Sequence, residues 1–268
     1  MLKDLLKNKI EKLDLKEELL KVKDLDNDKI SLWINLLNWE HLIKNLNNIE
    51  TIAIVWNTWS WKWIQLNWMI NQLNNKSNNS FYHIYLNENE FNKDRKIFKS
   101  LQITPDNISY ILYDLLKDIS IEIKRRENLL AQYNAKDINM YIKMQEINEN
   151  MEKLDYLNII IDEYISLINA LKSINLIDIE HFNYMFKRLI NNGRYLWLRL
   201  TILVHEFNTN ELWQIKDVLK YFIIGYTSFV NNKNYSEEEI TLIKKDIKNS
   251  FTFYIPNEKT IIQVPYNL

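Results

Sequence analysis

The sequence predicts an α/β fold, a mainly parallel sheet with helices on both faces and a β-hairpin at the C-terminus, on three observations. Short continuous apolar runs recur at Glu50–Val55 (ETIAIV), Leu157–Ile161 (LNIII) and Leu198–Val204 (LRLTILV), as expected of strands buried on both faces. Segments with apolar residues at helical spacing lie between them. Residues 64–74 carry Ile64, Leu66, Met69, Ile70 and Leu73, and Ile108–Gln132 carries Ile111, Leu112, Leu115, Ile119, Ile123 and Leu130. Strand and helix therefore alternate along the chain, the order that builds parallel sheets.

Taken in order, residues 1–29 alternate Leu and Ile with Lys, Glu and Asp and predict an N-terminal helical segment, and residues 30–268 are expected to form one domain. Ile30–Asn38 reads as a short strand. Glu50–Val55 is a compact β-branched strand that stops at Trp56, and a loop joins it to the helix over 64–74. Phe81–Leu86 reads as another strand, and Asp137–Leu154 continues the helical pattern after Ile108–Gln132. Phe251–Ile255 and Thr260–Val264, divided by Pro256 and Asn257, predict the closing hairpin. The Asn-rich stretch Asn71–Asn79 reads as a loop, and no internal repeat is visible.

Composition excludes several classes. The 268 residues carry a net charge of −1 with no run of like charges, so no global field points to nucleic acid or membrane. Without cysteine there are no disulfides, thiolate metal sites or cysteine nucleophiles. The charged N-terminus has no apolar core of a leader, and no apolar run approaches the ~18–20 residues of a membrane span. The cytoplasm is the expected compartment. His41, His83, His181 and His205 share no metal-ligand spacing and read as ordinary polar residues. One feature is anomalous: two glycines stand against nine tryptophans, where a domain ordinarily has about 7% glycine.

The anomaly concentrates after the strand ETIAIV. There the chain reads Trp56, Asn57, Thr58, Trp59, Ser60, Trp61, Lys62, Trp63. With glycine at 56 and 61 this is the frame G-x-x-x-x-G-K, a phosphate-binding loop between a strand and a helix. Such a loop needs glycine because its backbone N–H groups turn inward as an anion nest, some at positive φ, and the phosphates touch bare backbone. Four indoles would fill that space. Two readings stand at this point. The aromatic cluster is literal, or the tryptophan codons are UGA read as glycine, which gives GNTGSGKG.

About a hundred residues on, LNIIIDE at 157–163 places Asp162 and Glu163 at the carboxyl end of a buried strand, where α/β sheets bind ligands. In a nucleotide site Asp162 would hold Mg²⁺ and Glu163 would polarise the attacking water. Position 63 offers no Ser or Thr hydroxyl to the metal under either reading, so Mg²⁺ would rest on Asp162, phosphate oxygens and water.

From about residue 30 onward these motifs resemble the FtsK/SpoIIIE family of DNA translocases. In Ile30–Val55, Trp33 and Trp39 fall on the two glycines that punctuate the family's hairpin before the phosphate loop. Glu122, Arg125, Arg126, Ile138 and Tyr141 hold the pattern of its E-x-x-R-R helix and the turn after it. Asp162, Glu163 and Leu167 match its V-I-D-E strand. RLINNGRYLWLRLTILVHEFN at 188–208 is similar to its R-x-x-G-I-H-L-x-L-A-T-Q-R-P segment, with Trp197 on the glycine and Glu206 in place of the glutamine that senses the γ-phosphate. The family's D-P-K segment is not recognisable in YLNENEFNK, and no stretch matches its winged-helix reader or membrane helices.

The resemblance implies a RecA-like P-loop NTPase that binds ATP and Mg²⁺ and works as a homo-oligomeric, hexameric ring around double-stranded DNA. It implies Lys62 and Glu163 as catalytic residues, 56–63 as the nucleotide loop, Asp162 as metal ligand and Glu206 as sensor. Lys187, Arg188, Arg194 and Arg199 are candidates for channel or intersubunit contacts. Two other functions remain open: a conjugative coupling or DNA-packaging ATPase, and a degenerate, non-hydrolysing scaffold or DNA-binding ring.

Overall fold

The computed structural model describes residues 4, 15–26, 28–57, 59–76, 79–85, 96–173, 179–206, 212, 214–227, 235–247 and 252–264. The chain divides into two compact units, one of residues 1–77 with 201–268 and one of residues 78–200.

The first unit contains helix α1 (Leu15–Val22), strands β1 (Lys29–Asn35), β2 (His41–Asn45) and β3 (Thr51–Val55) and helix α2 (Trp59–Asn74). Its C-terminal part supplies β8 (Tyr221–Ile224), the short α7 (Glu237–Thr241), β9 (Thr252–Ile255) and β10 (Thr260–Gln263). The hydrogen-bonded order is β2-β1-β10-β9-β8-β3. β3 and β8 pair in parallel, Ile52 opposite Tyr221 through Val55 opposite Ile224. The other pairs are antiparallel, including the predicted hairpin β9–β10, in which Thr260 faces Ile255 and Gln263 faces Thr252. Its turn is a 3-10 segment, Pro256–Glu258, closed by Lys259 at φ 48°.

The second unit holds β4 (Asn79–Tyr85), β5 (Ile97–Gln102), α3 (Ile111–Gln132), α4 (Ile138–Ile147), β6 (Tyr156–Ile161), α5 (Tyr164–Ser173) and α6 (Ile179–Arg194). Its strands run β6-β4-β5, all parallel. A further strand, β7 (Leu198–Val204), has its first residues in this unit and its last four in the other. The α/β class predicted from the sequence holds, as a mixed sheet. The pairs of β3 with β8 and of β4 with β5 and β6 are parallel, and antiparallel pairs make up the rest of the first unit.

All five residues of β3 are buried, as are the last five of β6, which explains their uninterrupted apolar runs. β5 ends the strand order and has no fully buried residue, so IFKSLQ shows no apolar run of the kind that marks a buried strand. β2 and β8 are five and four residues long, too short for either period to register. The Asn-rich stretch is helix as far as Asn74, because α2 continues through it. α4 stops at Ile147, short of the predicted Leu154, and Met151 and Leu154 pack instead beneath Leu129, Ile138 and Tyr141.

Helix α1 belongs to the first unit through one polar chain. His41 Nε2 lies 2.9 Å from a Glu18 carboxylate oxygen and its Nδ1 2.8 Å from Ser31 Oγ, which in turn accepts from the Trp33 amide. Burial holds the His41 pKa below its ordinary value against the opposing pull of Glu18. The imidazole at neutral pH is therefore a neutral ring donating to Glu18 and accepting from Ser31.

No helix among the described residues is long and apolar enough to cross a membrane.

Candidate functional site

The loop after β3 is held from two sides. The Trp56 amide donates to Val204 O (3.1 Å) and the Asn57 amide to Tyr226 O (2.9 Å), so the chain leaves the strand tied to the ends of β7 and β8. Helix α2 begins at Trp59, which places Lys62 in its first turn. The lysine is fully buried, and its Nζ lies 3.2 Å from Nδ1 of His205, at the end of β7. Burying an ammonium is costly unless acceptors surround it, and the imidazole supplies one.

Trp56 is buried in the same unit. Its indole meets Phe253 edge-on, with ring centroids 4.6 Å apart. It also lies directly over Gly225, where an added Cβ would come within 1.5 Å of indole Cε3. The indole is seated there because residue 225 has no side chain. With tryptophan at 56, Gly225→Ala is expected to lower stability by about 1–3 kcal/mol through overpacking. With glycine at 56 the same substitution should cost well under 1 kcal/mol. Urea denaturation on both backgrounds measures the difference. Trp63 is also buried. Thr58 and the side chains of Trp59, Ser60 and Trp61 lie outside the described residues.

The acidic pair belongs to the second unit. β6 delivers Asp162, fully buried, whose amide donates to Ile84 O at 2.9 Å. Glu163 follows at φ 55°, in the left-handed region. Its amide donates to Asp162 Oδ1 (3.0 Å), and its Oε2 accepts from Ser166 Oγ (3.3 Å) in the first turn of α5. A non-glycine residue held at positive φ costs of order 1 kcal/mol, and such strain persists where surrounding structure imposes it. Here the turn from β6 into α5, with Leu167 N donating to Glu163 O at 3.1 Å, sets the carboxylate's direction. Among the described residues no group of three or more His, Asp or Glu forms a metal cage. Mg²⁺ accepts a donor set of one carboxylate with phosphate oxygens and water, and Asp162 is the residue of this pair that could supply the carboxylate.

Other predicted residues are structural. In α3, Glu122 Oε1 accepts from Arg125 Nη2 (2.6 Å) and Arg126 Nε (2.7 Å), and Arg126 Nη1 donates to Leu196 O (2.7 Å). Arg125 also pairs with Glu152, whose carbonyl accepts from the Tyr141 hydroxyl at 2.8 Å. The E-x-x-R-R pattern thus ties α3 to α4 and to the turn before β7. Arg199 is buried, with its guanidinium carbon 3.7 Å from the centre of the Tyr156 ring, so it is no surface contact for a channel. Arg188 is exposed, and Lys187 and Arg194 are partly exposed.

By spacing His205 is an ordinary polar residue, and by resemblance Glu206 stands on the sensing position. The structure brings His205 to Lys62. Counting G-I-H-L-x-L-A-T-Q forward from Trp197 also puts the glutamine on residue 205, a register signal that was available. The D-P-K position, in 86–95, lies outside the described residues.

No protein-family model matches the chain, and the search of curated proteins gives no match. Solved structures do match. The cytoplasmic domain of the Thermomonospora curvata type VII secretion ATPase EccC superposes with a TM-score of 0.71 at 14% identity, over 96% of this chain and 32% of that one. The pCW3 conjugation coupling protein TcpA, in a monomer form with ATPγS, gives 0.62 at 16% identity, over 92% of this chain and 68% of that one. EssC (ATPases 2 and 3) from Geobacillus thermodenitrificans gives 0.65 at 13% identity, over 90% and 45%. This chain spans about a third of the EccC chain and under half of the EssC chain. At these identities the likeness is one of architecture: the chain shares the α/β fold of those ATPase domains, a mixed sheet covered by helices.

Proposed function

We propose that residues 30–268 form a motor domain like those of FtsK/SpoIIIE translocases, which binds ATP with Mg²⁺, hydrolyses it and moves double-stranded DNA as a hexameric ring in the cytoplasm. In this reading Lys62 neutralises the β- and γ-phosphates, Asp162 holds the metal and Glu163 orients the attacking water. Mg²⁺, when bound, would supply charge neutralisation on the phosphate oxygens. The reading also needs glycine where the sequence writes tryptophan at 33, 39, 56, 59, 61 and 197.

The observation that carries it is the backbone at three of those positions. Trp33 stands at φ 94°, Trp39 at φ 63° and Trp197 at φ 63°, half of the six non-glycine residues at positive φ among those described. All three are positions at which the motif register expects glycine. Glycine takes such angles without penalty, whereas a bulky L-residue is a genuine outlier there. Trp33 adds a second sign, an indole N–H fully buried with no hydrogen-bond partner. Trp68, helical and donating from Nε1 to Ser31 O at 2.7 Å, shows no such need. The coding sequence tests the recoding directly: UGA is expected at 33, 39 and 197, and UGG at those three would sink it.

For the activity, protein carrying glycine at 56, 59, 61 and 63 is expected to hydrolyse ATP faster when double-stranded DNA is added. Absence of nucleotide binding by that protein would overturn the proposal. The TcpA structure with ATPγS supports nucleotide binding on this fold and keeps a conjugative coupling or packaging role beside the translocase reading. One observation favours the other alternative, a non-hydrolysing scaffold. If Trp56 is literal, its indole over Gly225 occupies the root of the loop in place of bare backbone.

A further inference from the structure

We infer that His205 is a positioning residue for the phosphate-loop lysine, holding the Lys62 ammonium in place until a nucleotide's phosphates take it over. The inference rests on the reading of 56–63 as a phosphate loop.

An ammonium has three donors and no acceptor. The 3.2 Å contact between Lys62 Nζ and His205 Nδ1 is therefore a hydrogen bond only if Nδ1 carries the lone pair. In that tautomer Nδ1 is the acceptor and Nε2 bears the hydrogen. Lys62 is completely buried, so this acceptor matters: a long flexible cation that loses one of its fixed partners explores other rotamers, and its charge leaves the loop.

The anchor is stiff at both ends. His205 follows Val204, whose carbonyl accepts from the Trp56 amide, so the strand that carries the imidazole is laced to the loop that carries the lysine. On the other side the His205 carbonyl accepts from Thr227 Oγ1 at 3.5 Å, after β8. The loop, β7 and the segment after β8 thus fix one donor–acceptor pair between residues 143 positions apart. A site whose members are locked by such neighbours is preorganised for its ligand.

The chemistry also explains why a histidine can stand where a glutamine is expected. Neutral imidazole offers one acceptor and one donor, the same pair that a carboxamide offers. The acceptor serves Lys62 in the empty site. A carboxylate such as Glu206 has acceptors only and would oppose the phosphate charge.

The test uses protein with glycine at 56, 59, 61 and 63 and compares His205→Asn, His205→Leu and Lys62→Ala. ATP and ADP affinities are measured by titration calorimetry, and kcat and KM by phosphate release, on variants whose melting temperatures match the parent. Asparagine keeps a short acceptor near the position of Nδ1, and leucine removes it. His205→Leu is expected to weaken ATP binding about tenfold with kcat falling less than affinity. His205→Asn should stay within about threefold of the parent, and Lys62→Ala should lose both nucleotides. If His205→Leu does not fold, His205→Ala takes its place. Parental ATP affinity in the leucine or alanine variant, or equal losses in the asparagine and leucine variants, overturns the positioning role while leaving the phosphate loop standing. Undiminished ATP binding by Lys62→Ala overturns the phosphate loop and this inference with it.

Discussion

Lys62→Ala, made in protein with glycine at 56, 59, 61 and 63, is expected to lower ATP turnover by about two to three orders of magnitude, the usual cost of removing one preorganised charge donor from a reacting oxyanion. The expectation is large because Lys62 is buried in the first turn of α2, at the end of a strand that is itself wholly buried. Lys62→Arg is expected to rescue little, since a planar guanidinium needs more room than a point-like ammonium. DNA-stimulated phosphate release checks both variants. Turnover near the parental rate in Lys62→Ala would rule out the assigned role.

The second large effect concerns stability. Glu122→Ala should destabilise the protein by about 3–5 kcal/mol, because it leaves the Arg126 guanidinium buried without its carboxylate. Both side chains are almost wholly inaccessible, and Arg126 is pinned on its far side by Leu196 O. Replacing both partners, Glu122→Leu with Arg126→Met, should recover most of the loss, since a buried pair and an apolar pair of like volume are often equivalent. Arg125, a third exposed, would keep its pair with Glu152. Urea denaturation of the three proteins separates these outcomes.

The same carboxylate sets a pH dependence. Burial alone would raise the Glu122 pKa, but the hydrogen bond from Arg125 and the charge of Arg126 outweigh it and hold it below the ordinary 4.5. A depressed carboxylate contributes stability that is present above the unfolded pKa and lost as pH falls through the folded one. The stability of the parent relative to the double replacement should therefore fall as the pH drops below about 4.5.

Much of the candidate site was legible in the chain. Lys62 could be placed because a buried strand, a break and a helical period stand in a fixed spacing around it, and Asp162 and Glu163 because an apolar strand must end where its acids begin. Trp33, Trp39 and Trp197 were recognised by register as positions where a glycine belongs, and their φ angles of 94°, 63° and 63° agree with that placement. Ser166 carries no signal in the sequence, because a hydroxyl three residues from an acid has no distinctive spacing, yet its Oγ donates to Glu163. Arg199 looked like surface charge until the ring of Tyr156 was found beneath it.

What the sequence by itself determined were the local periods: which segments are buried strands, which are amphipathic helices, and where a left-handed backbone is demanded. These follow from sterics and burial within a few residues. Only the tertiary structure decided that His205 meets Lys62, that the indole of Trp56 rests on Gly225, and that the short strands β5 and β8 join the sheet. Each of those depends on strand pairing between distant parts of the chain, and no local pattern encodes which strand ends come together.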